Sequence, residues 1–175
     1  GEMTPKILAA SARAAVKGLP VTVTVLGERE MKKLGMGGIL GVAKGSDEEA
    51  QFIILEYKGG QAKEQPVVFV GKGVTFDTGG LNLKPSDAIY EMHMDMSGGA
   101  AVIHTLALAA RLGIKRNVIG LVPAVENMPS GSSYHPGDVL KSLSGKTIEV
   151  LNTDAEGRII LADGITYAKH YKPRL

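Results

Sequence analysis

Two apolar stretches separated by a long helix pattern constrain the fold of this chain most. Residues 66–70 and 117–123 are nearly uninterrupted apolar runs, which are typical of strands covered on both faces of a sheet. Between them, residues 97–112 place apolar side chains nearly all round a helix, which predicts a core helix. A strand, a helix and a second strand in this order predict the α/β class, with a mixed, largely parallel central sheet flanked by helices.

The other segments extend this alternation of strands and helices. Thr4 followed by Pro5 predicts a helix start, with Thr4 as N-cap and Pro5 in the first turn. Further strands are expected at residues 21–25, 52–57 and 148–151. Further helices are expected at residues 7–16, 28–34 and 156–170, with a bent helix or loop at 36–45. Prolines, glycines and serines in residues 126–137 predict a long surface loop.

Length, charge and composition limit the classes of protein. A chain of 175 residues is expected to form a single domain. It has no cysteine, which excludes disulfides and thiolate metal ligands. The net charge is +2, and the longest basic run is Lys32 and Lys33, too little for a nucleic-acid surface. No apolar run approaches the roughly 20 residues of a membrane span, and no leader-like segment opens the chain, so we expect a cytoplasmic protein without nucleic-acid or membrane partners.

Residues 152–158 carry an acid or an arginine at every second position, between a strand pattern and a helix pattern. On an extended backbone, Asp154, Glu156 and Arg158 point to similar sides. The two carboxylates can then converge on one cation, while Arg158 stays near an anion or a developing negative charge. The alternative is an acidic first helical turn that only complements the helix dipole. Taken alone, this stretch leaves both interpretations open.

Three further segments place charged residues beside predicted elements. Lys72 and Asp77 lie in residues 71–80, where glycines let the backbone approach a bound group closely. A phosphate loop is disfavoured there, because the GxxxxGK[ST] spacing is absent. Lys84 follows, and its alternative interpretation is a solvated surface charge. Asp95 precedes the predicted core helix, where it can also serve only as a capping carboxylate.

Four of these residues are carboxylates at the edges of predicted core elements: Asp77, Asp95, Asp154 and Glu156. Crowded at one end of a sheet, they would repel strongly unless cations compensate them. Carboxylate-rich sites suit hard or borderline ions such as Mg, Mn or Zn, and two ions about 3.5–4 Å apart form a recognised hydrolytic arrangement. The four histidines show no ligand spacing.

Residues 70–80, 94–98 and 152–158 resemble, in this order, the motifs of the leucyl (cytosol) aminopeptidase family of dinuclear metallopeptidases. The segment 152–158 resembles the signature of that family without a departure, and the resemblance extends over essentially all 175 residues. It implies a partial aminopeptidase/phosphorylase-like catalytic domain.

The resemblance also implies a site for two divalent ions, zinc or manganese, with magnesium as a further option. Five residues would hold them: Lys72, Asp77, Asp95, Asp154 and Glu156. Asp77 and Glu156 would bridge the pair. Lys72 would ligate as a neutral amine, which requires a strongly lowered pKa.

The remaining roles concern catalysis and substrate. By the resemblance, Lys84 would polarise the scissile carbonyl and stabilise the oxyanion. Arg158 would anchor a bicarbonate that acts as general base toward the attacking water. Substrate-binding residues would be Lys84, Met92 and Asn152. The partners implied are peptide substrates and further copies of the chain, which form a hexamer in the complete family members.

Members of this family usually carry an N-terminal regulatory domain, and their catalytic domain continues beyond the position of Leu175. We therefore expect residues 1–175 to be a single partial catalytic domain, truncated at both ends and without the regulatory domain. One hypothesis is a metal-dependent aminopeptidase that releases N-terminal, leucine-type residues from peptides. The alternative is a catalytically inactive domain that retains metal binding or acts as a structural or interaction module. Intact Lys72, Lys84 and Arg158 favour the first hypothesis.

Overall fold

A mixed sheet of five strands is the centre of the computed structural model, which describes residues 2–174. The long strand β5 pairs antiparallel with β2 on one side and parallel with β3 and β4 on the other, and β1 pairs antiparallel with β2. The α/β class and the mixed sheet are confirmed, but two of the four pairings are antiparallel, so the sheet is less parallel than expected. The strands are β1 (Val21–Leu26), β2 (Gln51–Lys58), β3 (Val67–Val70), β4 (Gly73–Asp77) and β5 (Asn117–Asn127).

Strands β3 and β4 follow one another along the same edge of β5. Val70 lies opposite Leu121, and after a break of two residues Gly73 lies opposite Ala124. Part of the glycine-rich segment 71–80 is therefore a strand, because β5 is longer than its apolar run and offers partners as far as Asn127. Lys72 lies in the break between the two strands.

Helices cover both faces of the sheet, since successive strand residues point to opposite faces. On one face, α1 and α5 pack against Ile53 and Leu55, and on the other, α2, α3 and α6 pack against Phe52 and Ile54. All four of these β2 side chains are at most 3% exposed. The helices are α1 (Pro5–Ala15), α2 (Glu28–Leu34), α3 (Gly37–Ala43), α4 (Ser86–Ile89), α5 (Ser97–Arg111) and α6 (Glu156–Ala168).

Helix boundaries follow local sequence signals. Thr4 Oγ1 accepts a hydrogen bond from Ile7 N at 3.3 Å, which confirms it as the N-cap of α1. Gly35 ends α2 with φ of 82°, a left-handed conformation that glycine adopts without strain. No helix among residues 2–174 is both long and apolar enough to cross a bilayer.

Two predictions of full burial are wrong. Helix α5 is covered on one face only, and Leu108 on its other face is 56% exposed. Phe69 in β3 is 42% exposed, so this strand is not covered on both faces. Apolar composition predicted these elements but could not indicate which neighbours would cover them.

The strand expected at residues 148–151 does not join the central sheet. Residues Thr147–Glu149 form β7, which pairs antiparallel with β6 (Val139–Lys141) in a separate two-stranded hairpin. The stretch 152–158 therefore follows this hairpin rather than a strand of the central sheet.

Candidate functional site

The break between β3 and β4 and the start of α6 bring the predicted site residues together. Lys72 lies in that break, and Asp77 is the last residue of β4. Asp95 lies between a 3₁₀ turn (Met92–Met94) and α5. Asp154 belongs to a second 3₁₀ turn (Thr153–Ala155), and Glu156 is the first residue of α6, where the helix dipole favours an acid.

Lys72 joins two of the carboxylates. Its Nζ atom lies 2.7 Å from Glu156 Oε1 and donates a hydrogen bond of 2.8 Å to Asp95 Oδ1. A side chain at Gly157 would displace the end of Lys72 from its carboxylate partners, since its Cβ would lie 2.8 Å from Lys72 Cε. The glycine of the 152–158 motif thus makes room for the lysine stem.

The protein neighbours of Lys72 act against the lowered pKa that the resemblance requires of a neutral amine ligand. Burial by itself lowers the pKa of Lys72, but the hydrogen bonds and charges of Asp95 and Glu156 outweigh burial and raise the pKa above its ordinary value. Lys72 is therefore an ammonium ion in this arrangement, and a neutral amine would need a stronger positive charge nearby.

Lys84 joins the other two carboxylates and is not a solvated surface charge. Its Nζ atom lies 3.2 Å from Asp77 Oδ2 and donates a hydrogen bond to Asp154 Oδ1, and its side chain is only 14% exposed. Burial lowers the pKa of Lys84, but its hydrogen bond with Asp154 and the charge of Asp77 raise the pKa above the ordinary value. The lysine therefore stays charged between Asp77, which is close in sequence, and Asp154, which lies 70 residues further along the chain.

Together, four carboxylates and two ammonium groups leave an excess of negative charge at the site. Carboxylate oxygens of Asp77, Asp154 and Glu156 lie within 4.8 Å of one another. Burial raises the pKa of Glu156 despite its pairing with Lys72, and it raises the pKa of Asp95 in the same way. The ionised cluster is thus incompletely compensated by its own lysines.

The donor set fits divalent cations. Oxygens Oε2 of Glu156 and Oδ2 of Asp95 are buried, yet they accept no hydrogen bond from any residue between 2 and 174. The latter lies 2.6 Å from Lys72 Nζ, but outside hydrogen-bond geometry. Buried carboxylate oxygens without donors are costly unless a cation compensates them, and carboxylates are the ligands that hard divalent ions prefer.

Three further predicted residues lie close in sequence to the acids of this cluster. Arg158 is exposed and lines a cavity of about 250 Å³ together with Asn152. Asn152 Oδ1 accepts a hydrogen bond of 2.7 Å from Asp154 N, so it caps the turn that carries this acid. Met92 is half-buried in the turn before Asp95. No ion pair joins Arg158 to a partner among the residues that the structure describes.

Sequence reasoning missed two residues in the segment expected to be a surface loop. Asn127 is the last residue of β5 and is fully buried, and Tyr134 is 1% exposed. The Asn127 Nδ2 atom donates hydrogen bonds to Asp77 Oδ1 (2.8 Å) and to Thr153 O (2.9 Å), and Tyr134 Oη donates to the same carbonyl at 2.6 Å. The position of Asn127 near the carboxyl end of an apolar strand was the available signal, but neighbouring prolines and glycines pointed to solvent.

Tyr134 remains a neutral donor in this environment. Burial raises its pKa above the ordinary value, and the charges of Glu156, Asp77 and Asp154 raise it further. Its hydroxyl therefore keeps the proton that it donates to the Thr153 carbonyl.

The fold and the site define an α/β protein with a carboxylate and lysine cluster suited to divalent cations at the edge of its sheet. The chain belongs to the cytosol aminopeptidase family, whose catalytic domain matches residues 1–175. The predicted family is thereby confirmed.

Curated relatives and a solved structure agree with this assignment. The chain is 54% identical over 170 residues to a probable cytosol aminopeptidase of Ralstonia nicotianae and 55% identical over 170 residues to one of Paraburkholderia phytofirmans. In both comparisons the match covers 97% of this chain and 34% of the relative, so the chain spans about a third of their length. The crystal structure of cytosol aminopeptidase from Coxiella burnetii superposes with a TM-score of 0.93 at 33% identity, over 98% of this chain and 37% of that one.

Proposed function

We propose that the protein represented by this chain is a metal-dependent aminopeptidase that hydrolyses the N-terminal, leucine-type residue of peptides. The observation that carries the proposal is the convergence of three carboxylates, those of Asp77, Asp154 and Glu156, within 4.8 Å of one another, where Glu156 Oε2 is buried without a donor among the described residues. Such a site suits divalent cations, and family membership supports the peptidase class.

Five side chains would hold two divalent ions: Lys72, Asp77, Asp95, Asp154 and Glu156. Zinc or manganese is proposed, with magnesium as an alternative. When bound, such ions make a water molecule acidic and place positive charge beside the reacting carbonyl. The chain contributes the geometry, since β4, the start of α5 and the start of α6 fix the acids on three rigid elements.

Lys84 would stabilise the transition state. Its ammonium group lies among the carboxylates and keeps its proton, as the raised pKa requires. Directed at the carbonyl oxygen of the scissile bond, this ammonium would stabilise the negative charge that develops there during attack. To do so, Lys84 must exchange its hydrogen bond with Asp154 for one with the substrate.

Arg158 would anchor a bicarbonate that accepts a proton from the attacking water. Its exposed guanidinium borders the cavity of about 250 Å³, and a guanidinium binds such a planar anion through two parallel hydrogen bonds. Asn152 borders the same cavity and, with Met92 and Lys84, would contact the substrate.

We further infer that residues 1–175 form part of one catalytic domain of a cytoplasmic homo-oligomer, the family hexamer. The match to the catalytic domain of the family supports the first part of this inference. The relatives are named cytosol aminopeptidases, which supports the compartment.

A catalytically inactive domain that retains metal binding, or serves as a structural or interaction module, is the second candidate. One observation favours it: Lys72 and Lys84 already pair with all four acids, as in a structural ion-pair network. The buried Glu156 Oε2, which accepts no hydrogen bond from the described residues, favours the first candidate, because a network built only for stability would satisfy it.

Hydrolysis of a leucine amide substrate with added Mn²⁺ or Zn²⁺ tests the proposal, and calorimetry measures metal binding in parallel. We expect metal-dependent turnover that Asp77→Ala abolishes, because Asp77 contributes to the shared oxygen cluster. The control is Asp47→Ala, which removes an exposed acid and should keep both properties. Metal binding without turnover would favour the inactive domain, and absence of both would contradict the proposal for this chain.

A further inference from the structure

A buried pair of side chains connects two of the segments that carry acids. We propose that Asn127 and Tyr134, hereafter the clamp, are positioning residues that fix the Asp77 carboxylate relative to the turn that carries Asp154. This inference rests on the proposed function, because it assigns the clamp a role in binding the divalent ions.

The carboxylate of Asp77 is held by two donors. Its Oδ1 atom accepts hydrogen bonds from Asn127 Nδ2 and from Gly79 N, both at 2.8 Å. With two donors on Oδ1, the carboxylate is held in one orientation, and Oδ2 is the oxygen that faces the cluster and Lys84. A bound ion would therefore meet a carboxylate whose rotation is already fixed.

The peptide carbonyl that precedes Asp154 is also held by two donors. Thr153 O accepts hydrogen bonds from Asn127 Nδ2 at 2.9 Å and from Tyr134 Oη at 2.6 Å. Asn127 thus donates from one amide to Asp77 and to Thr153, and so joins two ligand-bearing segments that are distant in sequence. Both acceptors are oxygens, so the orientation of the amide is chemically determined.

Burial strengthens the clamp. Asn127 and Thr153 are 0% exposed and Tyr134 is 1% exposed, so water cannot replace the lost partner after a substitution. Outer-shell partners of this kind typically contribute about 10- to 100-fold to metal affinity. We therefore expect a comparable contribution from Asn127, and a smaller one from Tyr134, which contacts only one segment.

The test compares three variants by calorimetric titration with Mn²⁺. Asn127→Asp removes the shared donor and faces Asp77 with a second carboxylate. Tyr134→Phe removes one hydroxyl only and is the milder change if the first variant fails to fold. The matched control is Asn117→Asp at the opposite end of β5, where the side-chain amide also donates to two oxygens, the carbonyls of Gln61 and Glu64.

We expect Asn127→Asp to weaken Mn²⁺ binding about 10- to 100-fold, Tyr134→Phe to weaken it less, and Asn117→Asp to leave it at the wild-type value. Affinities of Asn127→Asp and Tyr134→Phe that equal that of Asn117→Asp would overturn the inference. A control that loses affinity as much as Asn127→Asp would also overturn it, since the effect would then reflect general stability.

Hydrogen exchange of backbone amides separates this inference from the proposed function. The amides of Gly79, Asn82 and Thr153 donate to groups around the clamp and should exchange faster in Asn127→Asp than in Asn117→Asp. If the wild-type chain bound no Mn²⁺, the proposed metal role would fail for this chain. Amide hydrogen exchange would still show whether the clamp fixes the Asp77 carboxylate relative to the turn that carries Asp154. Equal exchange rates of these amides in Asn127→Asp and Asn117→Asp would overturn the positioning role of the clamp.

Discussion

Glu156 and Asp163 are two buried acids on the same helix, about two turns apart. They differ in the groups that contact their carboxylate oxygens. They are 1% and 0% exposed, respectively. Glu156 pairs with Lys72 through Oε1, while its Oε2 accepts no hydrogen bond from the described residues. Asp163 has no cationic partner among those residues, yet Oδ2 accepts from Ile39 N (3.0 Å) and Oδ1 from Leu143 N (2.7 Å).

The comparison shows that burial alone does not distinguish the acid proposed to bind a cation from an acid whose oxygens are satisfied by backbone donors. Burial raises the pKa of both side chains above the ordinary value, in Glu156 despite Lys72 and in Asp163 despite its backbone donors. Asp163 fastens the start of α3 and the loop of the β6–β7 hairpin to α6, and its oxygens are satisfied. Glu156 keeps an oxygen available, which is what a ligand for a cation requires.

The largest expected effect is that of Glu156→Gln on metal affinity. Removing the charge of a proposed ligand should weaken Mn²⁺ binding by more than the roughly 10- to 100-fold of an outer-shell change. Urea unfolding without added metal should change little, because Lys72 keeps Asp95 as a partner. Calorimetry and urea titration measure the two properties, and wild-type affinity in this variant would refute the role of Glu156.

Asp163→Asn should lower stability rather than Mn²⁺ affinity, the opposite of Glu156→Gln. In the variant, an NH₂ group replaces one of the two carboxylate oxygens and faces either Ile39 N or Leu143 N. That buried backbone donor then loses its acceptor. We expect the free energy of unfolding to fall by about 1–3 kcal/mol while Mn²⁺ affinity stays at the wild-type value. A loss of affinity without a loss of stability would show that the two acids do not differ in the way described.

The smallest expected effect is a pH dependence of the difference in free energy of unfolding between wild type and Asp163→Asn. Because folding raises the pKa of Asp163, the folded chain binds this proton more tightly than the unfolded chain does. The resulting stabilisation is complete below the ordinary Asp pKa of about 3.9 and is lost as pH rises through the raised pKa. The free energy of unfolding of wild type minus that of Asp163→Asn should therefore fall as pH rises above the ordinary Asp pKa of about 3.9, and parallel urea-derived curves would contradict this prediction.

Local patterns predicted most elements because their causes are local. The Thr4 cap, the left-handed Gly35 and the apolar runs each act within a few residues, and α1, α2, β2 and β5 form where these signals lie. The prediction was wrong where an element depends on a distant partner. Strand β4 exists because β5 extends to Asn127, and β7 pairs with β6 rather than with the central sheet.

The candidate site divides in the same way. Motif spacing in the sequence identified the acids and lysines, including Asp95 and Lys84 on either side of α4. Asp163 and Tyr134 gave no such signal, since an acid within a helix pattern and a tyrosine in a loop are ordinary surface residues in sequence.

By itself, the sequence determined the α/β class, the family and the charged side chains of the site, because each is encoded by residue type and short-range order. Only the tertiary structure decided which ammonium meets which carboxylate, which acid is satisfied and which oxygen stays without a donor. These properties depend on hydrogen-bond distances between segments such as 72 with 156 and 84 with 154. Such distances are set by how the strands and helices pack, and no local pattern specifies them.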